Sequence, residues 1–388
     1  MSSKNQRSPK DVFFEGFKPT LHIASPGRIN IIGEHVDYNM GLVLPAAIDK
    51  KMEFSFQKNG SGQRCEVYSD TLGAVMAFDL DKVSRSSVGW ENYILGVVHE
   101  IQKRVPGLGA FKCAIKSGIP AGSGVSSSAA LECGLAFGLN ELFDLGLSRM
   151  DIVALGRDAE HHYVGTQCGI MDQYASVMGK EGQVLLLDCE TVEHAYVPFK
   201  TDPFELLMLN TNVSHNLADG QYNVRRQQCE EGVAILRKTH PGVSSLRHAT
   251  MDMLHQCAAD MSEVVLQRCT FVVAENARVL RAVEHLKNND LPALGRLLYQ
   301  THAGLRDQYG VSCPELDFLV HHAQGKDHIL GARMVGGGFG GCTLQLIHKD
   351  RTADYVAEVS AAYHKAFGIA LGSFVTLPSD GTRVVNGA

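Results

Sequence analysis

Residues 120–143 read PAGSGVSSSAALECGLAFGLNELF, a glycine- and serine-rich turn that runs into an alanine- and leucine-rich helix. Glycine allows a ligand to approach the backbone closely, and a helix N-terminus offers unpaired N–H groups and a positive dipole end. The hydroxyls of Ser126, Ser127 and Ser128 stand where a phosphate or Mg²⁺ would bind. The stretch therefore predicts an anion-binding loop, with a plain glycine-rich turn and serine caps as the alternative. Because it lacks the GxxxxGK pattern followed by Ser or Thr, a Walker-type NTPase is disfavoured.

A second glycine cluster, residues 336–341, reads GGGFGG and formally satisfies the dinucleotide-binding pattern GxGxxG. The strand-like segment CTLQLI follows it where a dinucleotide site would need a helix, so we reject that interpretation. Taken alone, the cluster is typical of a tight turn. Two glycine loops in one chain also favour an arrangement in which one loop holds phosphate and the other closes against it.

Two further stretches place charged side chains beside apolar residues. Residues 25–49, SPGRINIIGEHVDYNMGLVLPAAID, hold Arg28, Glu34, His35 and Asp37 within ten positions. Carboxylates accept hydrogen bonds from vicinal hydroxyls, and a guanidinium can bind a carboxylate or stabilise transferring charge. This segment thus predicts polyol recognition, with a surface salt-bridge loop as the alternative. In CGIMDQYASVMG, Asp172 lies in the first turn of a predicted helix, whose positive end favours an ionised carboxylate.

Oxygen ligands are better candidates for metal binding than histidines. The chain has 17 histidines, but no HExxH motif, and neighbours such as His161 and His162 do not share a helix face. Glu160 with Ser128 would complete a hard-oxygen site for Mg²⁺, which takes one or two carboxylates together with substrate phosphates.

Size, charge and cysteine usage restrict the class of protein. At about 150 residues per domain, 388 residues predict two or three domains. The net charge is −6, from 36 basic and 42 acidic residues, and no dense basic block indicates a nucleic-acid partner. Ten cysteines without a CxxC pair indicate reduced thiols in a cytoplasmic protein. No apolar run reaches about 18 residues and no signal-peptide core is present, so we expect neither secretion nor a membrane partner.

Apolar periodicity predicts interleaved strands and helices. A capping box formed by Ser148 and Asp151 opens one of the helices. The composition changes past Pro203, so we place a boundary near residue 200, between an N-terminal domain (11–200) and a C-terminal domain (201–388). Strands are predicted at 52–57, 65–68, 111–116, 183–189, 204–211 and 374–378, and helices at 93–104, 129–142, 148–162, 171–178, 217–239, 264–287 and 353–367.

These segments together resemble the galactokinase family, within the sugar and mevalonate kinases called GHMP kinases. GRINIIGEHVDYNMGLVLPAAI is similar to the galactokinase signature, PAGSGVSSSAALE to the superfamily's phosphate loop, and MVGGGFGGC to its third glycine motif. CGIMDQ, YNVRR, WENYILGV and VSCPELD are similar to further galactokinase segments. The resemblance spans residues 20–375, nearly the whole chain.

The resemblance implies a fold, a reaction and a set of site residues. The fold is α/β (α+β) with two domains, an N-terminal ribosomal-protein-S5-domain-2-like one and a C-terminal ferredoxin-like one, and the active site lies in the cleft between them. The reaction transfers the γ-phosphoryl of ATP to the anomeric hydroxyl of α-D-galactose, with Mg²⁺ as cofactor, in a monomer whose partners are small molecules. Asp172 aligns with the catalytic base and Arg28 with the residue that stabilises transferring charge. The remaining implied residues are Glu34, His35, Asp37, Gly169, Asp172 and Tyr222 for the sugar; Gly122, Ser123, Gly124, Val125, Ser126, Ser127, Ser128, Trp90 and Tyr93 for the nucleotide; and Ser128 and Glu160 for Mg²⁺.

Two other functions and one mechanistic choice stay open at this point. A kinase of the same superfamily could act on N-acetylgalactosamine, arabinose or a non-sugar alcohol. A sensor that binds galactose and ATP without turnover would resemble a galactokinase but lack part of the phosphate-loop serine–alanine run, which is uninterrupted here from Ser126 to Ala129. Asp172 either accepts the proton late in a loose transition state or chiefly orients the hydroxyl, and we favour positioning with late proton transfer.

Overall fold

The structure is a computed structural model that describes residues 8–120, 122–214 and 218–386. Runs of strands and runs of helices are interleaved along the described chain. The first half contains α1 (Pro9–Phe14), β1 (Leu21–Asn30), β2 (Leu42–Val43), β3 (Pro45–Lys58), β4 (Arg64–Ser69), β5 (Ala74–Asp79), α2 (Gly89–Arg104), β6 (Phe111–Ser117), α3 (Ser127–Phe143), α4 (Arg149–Ala159), α5 (Met171–Met178), β7 (Gln183–Asp188) and β8 (Glu193–Pro198). The second half contains β9 (Phe204–Ser214), α6 (Ala218–Thr239), α7 (Met251–Gln256), α8 (Glu263–Lys287), α9 (Leu291–Gly304), α10 (Pro314–Ala323), β10 (Ile329–Met334), β11 (Gly340–His348), α11 (Thr352–Phe367), β12 (Gly372–Thr376) and β13 (Arg383–Val385).

The strands form three sheets. The largest has the order β13-β1-β3-β6-β4-β5 and is antiparallel except between β4 and β6. A three-stranded sheet has the order β2-β7-β8, and the second half builds an antiparallel sheet of order β10-β11-β9-β12. Helices α3 and α5 pack on β1 and β3, while α9 and α10 pack on β10.

Helix α3 is buried on nearly all sides because it lies on strands β1 and β3 and contacts helices α2, α4 and α5. A Cβ atom at Gly134 would come within 2.2 Å of the Phe54 ring, and one at Gly138 within 2.1 Å of the Phe56 ring. These glycines, one helical turn apart, let the helix backbone approach the sheet closely. Their place in the sequence thus fixes how the helix behind the glycine-rich turn is seated.

Most predicted elements are present, with differences at their ends. Helix α5 has the predicted bounds, and the capping box of Ser148 and Asp151 opens α4 as expected. The helix predicted to run to about His162 ends its α-helical part at Ala159 and continues as a π-helical turn, Glu160–Val164. The predicted helix at 217–239 corresponds to α6, Ala218–Thr239, and its first position, 217, lies outside the described residues.

The C-terminal segment departs from the predicted domain division. Strand β13 pairs with β1, and the backbone N–H of Thr382 donates to the Ser176 carbonyl at 2.8 Å. The last strand of the range 201–388 therefore completes the sheet of the first half. Three residues are too short to show periodicity, and the pairing of β13 depends on a partner far away in the sequence.

All ten cysteines lie within the described residues and are free thiols, nine of them buried. Among the described residues, we find no helix both long enough and apolar enough to cross a membrane.

Candidate active site

One cavity collects predicted site residues from both halves of the chain. Its empty volume is about 510 Å³. Its wall is formed by residues from the segment 25–49, the π-helical turn, α5, α6 and the second glycine cluster. The residues that line it are Arg28, Glu34, His35, Asp37, Glu160, Thr166, Cys168, Met171, Asp172, Tyr222, Gly336 and Gly337.

Arg28 and Asp172 form a two-pronged ion pair in this cavity, although 144 positions separate them in the sequence. Arg28 Nε donates to Asp172 Oδ1 at 2.7 Å, and Arg28 Nη2 donates to Oδ2 at 2.8 Å. Burial opposes the charged guanidinium, but the carboxylates of Asp172, Glu34 and Asp37 outweigh it and raise the pKa of Arg28. Arg28 is therefore charged and held by strong, directional bonds.

The glycine-rich turn, of which residues 120 and 122–126 are described, lies directly against Arg28. The backbone N–H of Arg28 donates to the Val125 carbonyl at 3.0 Å, and Arg28 Nη1 donates to the Gly124 carbonyl at 2.8 Å. Gly122 and Gly124 have φ values of 66° and 68° and are exposed, so their backbone is open to a ligand. The loop thus joins the predicted catalytic pair to the N-terminus of α3.

The serines of this loop face different surroundings. Ser123 is buried and donates to the Pro120 carbonyl at 2.7 Å. Ser126 adopts a left-handed backbone with φ 56°, and its hydroxyl donates to Asp172 Oδ2. Ser127 is exposed and Ser128 is half-buried at the start of α3. The Ser126 hydroxyl, which was predicted to bind the nucleotide, therefore donates to the Asp172 carboxylate in this structure.

The second glycine cluster packs against the first one. A Cβ atom at Gly336 would lie 2.9 Å from the Gly124 carbonyl oxygen, and one at Gly341 would lie 3.8 Å from that of Gly122. Gly336 and Gly338 have φ values of 80° and 84°, which favour glycine. The cluster leads into strand β11, so the rejection of a dinucleotide motif stands. The contact between the two loops that the sequence favoured is present.

Asp37 lies at the wall of the cavity in the 3₁₀ turn Asp37–Asn39, with 6% of its surface exposed. Burial raises the pKa of Asp37 to about 7, and the nearby Asp172 carboxylate adds to the effect. Gly169 touches this carboxyl group so closely that a Cβ atom there would lie 2.0 Å from Asp37 Oδ2. Gly169 therefore does not line the cavity itself but leaves the space that Asp37 occupies.

Both ring nitrogens of His35 are used within the protein. Nδ1 lies 2.9 Å from the Tyr38 hydroxyl, and Nε2 lies 3.2 Å from the Gly337 carbonyl. Burial lowers the pKa of His35 to about 4, so the ring is neutral and donates through Nε2 to that carbonyl. The Tyr222 ring lies nearby at an angle of 41° to the His35 ring, and their centroids are 5.5 Å apart. His35 can thus meet a ligand through its ring carbons while it fixes the surrounding loops.

Glu160 belongs to a buried polar group behind Asp172. Its Oε2 accepts from Gln173 Nε2 at 2.8 Å, and the Ser128 hydroxyl is also within hydrogen-bonding reach of the carboxyl group. Burial and the Asp172 carboxylate raise the pKa of Glu160 to about 7. The same Gln173 nitrogen donates at 3.3 Å to Glu132, a fully buried carboxyl group that sequence reasoning missed.

A second, mostly apolar cavity lies beside the start of α3, with an empty volume of about 730 Å³. Trp90, Leu72, Ile115 and Ser127 are among its lining residues. Tyr93, which was predicted together with Trp90, is not among the residues that line this cavity. The cavity has the size and the aromatic wall that a heteroaromatic base requires.

Several residues of the site were not predicted from the sequence. Thr166, Cys168 and Met171 line the first cavity from the segment that leads into α5. Only their position beside Asp172 could have suggested them. Arg333, at strand β10, forms a buried ion pair with Glu34 at 3.0 Å. No local pattern marks a buried arginine, since its partner lies 299 positions away.

Known protein families match three segments of the chain. The GHMP kinases N terminal domain matches residues 92–180, and the GHMP kinases C terminal domain matches residues 282–365. The galactokinase galactose-binding signature matches residues 12–58, which include Arg28, Glu34, His35 and Asp37.

Relatives and solved structures agree with these matches. The galactokinase of Thermotoga maritima is 39% identical over 365 residues, which cover 94% of this chain and 100% of the relative. That of Haemophilus influenzae is 39% identical over 376 residues, 95% of either chain. The crystal structure of Lactococcus lactis galactokinase complexed with galactose superposes with a TM-score of 0.91 at 32% identity, and the match covers 96% of this chain and 98% of that one. The mevalonate kinase of Methanococcus jannaschii, at 16% identity and a TM-score of 0.63, shares the fold alone.

The two matched domains and the cleft between them define the class of GHMP kinases, with the predicted two-domain α/β fold. Because its relatives are galactokinases along nearly their whole length, the chain belongs to the galactokinase family.

Proposed function

We propose that the protein transfers the γ-phosphoryl group of ATP to the anomeric hydroxyl of α-D-galactose and releases galactose 1-phosphate and ADP. The galactose-binding signature and the galactose complex of the Lactococcus lactis relative support the choice of sugar. One observation carries the assignment. The Arg28–Asp172 pair lines the cavity that the segment 25–49 helps to form, and Arg28 also donates to the Gly124 carbonyl in the glycine-rich turn. Acceptor and donor sites therefore meet at one carboxylate.

Asp172 is the group that faces the acceptor hydroxyl in this proposal. An ionised carboxylate can accept about four hydrogen bonds. Arg28 supplies two of these and the Ser126 hydroxyl a third, so one acceptor position is left for the anomeric hydroxyl. The carboxylate is thus held at a fixed angle, which is the alignment that phosphoryl transfer demands of a protein.

Proton transfer follows bond formation in this arrangement. Charge develops on the sugar oxygen as its bond to the γ-phosphorus forms and the bond to the leaving ADP oxygen breaks. The Asp172 carboxylate, held by two bonds from Arg28, accepts the hydroxyl proton late, after the bond to phosphorus has made that proton acidic. Arg28 also lies where it can offset charge on the transferring group.

Glu34 and Asp37 recognise the sugar hydroxyls, and the neighbouring rings shape the cavity. Both carboxyl groups line the cavity and are almost fully buried. A sugar without a hydroxyl at the matching position would therefore leave a buried polar group without a hydrogen bond. His35 and Tyr222 pack against each other and present an apolar wall to the pyranose ring. This combination of hydrogen-bond acceptors and rings suits a polyol.

ATP is bound by the glycine-rich turn and by the apolar cavity beside it. The exposed backbone at Gly122 and Gly124, together with the N-terminus of α3, offers N–H groups to the phosphates. Trp90 lies in the wall of the neighbouring cavity, where the base would stack. Tyr93 lies on the same helix, α2, but is not among the residues that line this cavity.

Ser128 and Glu160 fit an Mg²⁺ ion. Within the described ranges, no group of three or more His, Cys, Asp or Glu side chains is arranged to hold a metal ion. Mg²⁺ needs only one or two carboxylates when phosphates complete its shell. A bound cation would also balance the neighbouring carboxylates of Glu160 and Asp172, whose mutual repulsion contributes to the raised pKa of Glu160. When bound, Mg²⁺ neutralises charge on the phosphates.

The experiment that tests this function is a coupled assay of ADP release with ATP and Mg²⁺. Galactose, N-acetylgalactosamine, arabinose, glucose and mevalonate are offered separately. We expect release with galactose and at most a few per cent of that rate with glucose. Preference for another acceptor would identify a different kinase of the superfamily. Galactose binding by calorimetry without any ADP release would identify a sensor.

A further inference from the structure

Arg333 reaches from strand β10 of the second half into the loop that carries the sugar-binding carboxylates. Its side chain is completely buried. Arg333 Nε donates to the Ile31 carbonyl at 2.8 Å, and Nη2 donates to the Asn30 carbonyl. Nη1 donates to Glu34 Oε1 at 3.0 Å. One guanidinium therefore holds both the backbone of the loop and the carboxylate that the loop presents.

The two oxygens of Glu34 are engaged unequally. Oε1 accepts from Arg333 and from the backbone N–H of Gly336, the latter at 2.9 Å. Oε2 accepts from Asn30 Nδ2 at 3.3 Å, a longer and weaker bond. Because Oε1 has two short partners, Oε2 is the oxygen with capacity left for a ligand, and Glu34 lines the cavity.

A purely stabilising role does not account for this arrangement. A buried ion pair can often be replaced by apolar residues at little cost, because desolvation of the charges offsets their attraction. Here the pair stands at the wall of a polar cavity and also binds Gly336, which touches the phosphate loop at Gly124. The guanidinium fork fits two carbonyls and a carboxylate at once, which a lysine ammonium cannot do.

We propose that Arg333 is a positioning residue for the sugar site, which fixes the Glu34 carboxylate so that Oε2 meets a galactose hydroxyl. The inference rests on the proposed function, in which Glu34 contacts the sugar. Arg333 itself does not line the cavity and acts only through Glu34 and the loop backbone.

The test compares Arg333→Met, Arg333→Lys and the double variant Arg333→Met/Glu34→Gln with the unchanged enzyme. For each protein we measure the KM for galactose, the KM for ATP, the Kd for galactose by calorimetry and the Tm. A lost hydrogen bond to a charged group predicts a KM and Kd for galactose raised about 10- to 100-fold in Arg333→Met. The KM for ATP of Arg333→Met should stay within about twofold of that of the unchanged enzyme. The KM for galactose of Arg333→Lys should lie between those of Arg333→Met and the unchanged enzyme.

The double variant separates positioning from stability. Glu34→Gln removes the buried charge that Arg333→Met leaves unpaired, so the Tm should recover toward that of the unchanged enzyme. Galactose affinity should stay weak, because the double variant has no carboxylate at position 34. If Arg333→Met fails to fold, Arg333→Lys, which keeps Glu34, gives the comparison of galactose affinity with the unchanged enzyme.

A control breaks another ion pair, between Arg104, whose side chain is 26% exposed, and the fully buried Glu100; neither residue lines the two cavities. Arg104→Met should lower the Tm without changing the KM for galactose. The inference is overturned if the Arg333 variants keep the galactose Kd, or if the KM values for galactose and ATP rise together. Recovery of galactose affinity together with Tm in the double variant would also overturn it. Absence of galactose binding and turnover in the unchanged enzyme would instead overturn the proposed function.

Discussion

Replacing Gly169 by alanine tests the shape of the sugar site with a single added methyl group. A Cβ atom at this position would lie 2.0 Å from Asp37 Oδ2 and 2.4 Å from Asp37 Cγ. An ordinary van der Waals contact begins at 3.4 Å, so the carboxyl oxygen must move by about 1.4 Å, the difference between 3.4 and 2.0 Å. Because Asp37 is 6% exposed, it can move only toward the cavity or into its packed neighbours.

The displacement sets the size of the expected effect. A misplacement of about 1 Å in an active site can cost about 10²-fold in rate, which corresponds to about 2.7 kcal/mol of transition-state stabilisation. We therefore expect Gly169→Ala to lower kcat/KM for galactose about 100-fold while the KM for ATP stays within about twofold. Backbone strain does not confuse the result, since Gly169 is outside the left-handed region.

The assay is coupled ADP release at varied galactose and at varied ATP, with the Tm of each variant measured alongside. Gly242→Ala is the matched control, because a Cβ atom there meets nothing within 4 Å and the backbone is likewise outside the left-handed region. It should behave like the unchanged enzyme. A Gly169→Ala enzyme that kept at least half of its kcat/KM for galactose would refute the placement of Asp37 in the sugar site.

Three further predictions concern single side chains. Asp172→Asn should lower kcat about 10³-fold, because it removes the proton acceptor and the charged partner of Arg28. A kcat within tenfold of that of the unchanged enzyme would contradict this role. The pKa of about 7 for Asp37 predicts that kcat/KM for galactose rises with pH and levels off above about 7, and that Asp37→Asn flattens this rise. Since the folded state holds this proton more tightly than the unfolded one, Asp37 should also make the free energy of unfolding in urea fall as pH rises from about 4 to about 7. Trp90 is the chain's single tryptophan and lines the apolar cavity, so its fluorescence should respond to ATP but not to galactose. Trp90→Ala should raise the KM for ATP about 10-fold. A fluorescence signal unchanged by ATP would show that Trp90 lies outside the nucleotide site.

Local signals in the sequence were sufficient to predict most elements near the site. A capping box marks the start of α4, and a glycine marks the end of α5 at Met178, so their bounds depend on neighbouring residues. Strand β13 has no such signal, because its three residues become a strand only by pairing with β1. The division predicted at residue 200 therefore could not include the pairing of this last strand with the sheet of the first half.

The candidate site shows the same limit. Resemblance named Arg28, Ser126 and Asp172, but not that the Ser126 hydroxyl and the guanidinium share one carboxylate. His35 was assigned to the sugar, whereas its two ring nitrogens bind Tyr38 and the Gly337 carbonyl. These bonds depend on how distant segments pack, and a motif carries no information about which atom of a side chain remains free.

Phosphorus NMR of the reaction product tests the central claim most directly, because it reports which sugar oxygen receives the phosphoryl group. The enzyme is incubated with ATP, Mg²⁺ and galactose labelled with ¹³C at the anomeric carbon. The account predicts ADP together with a sugar phosphate whose phosphorus couples to the labelled carbon and to its α-anomeric proton. A phosphate on any other carbon, or ATP left intact in the presence of galactose, would contradict it.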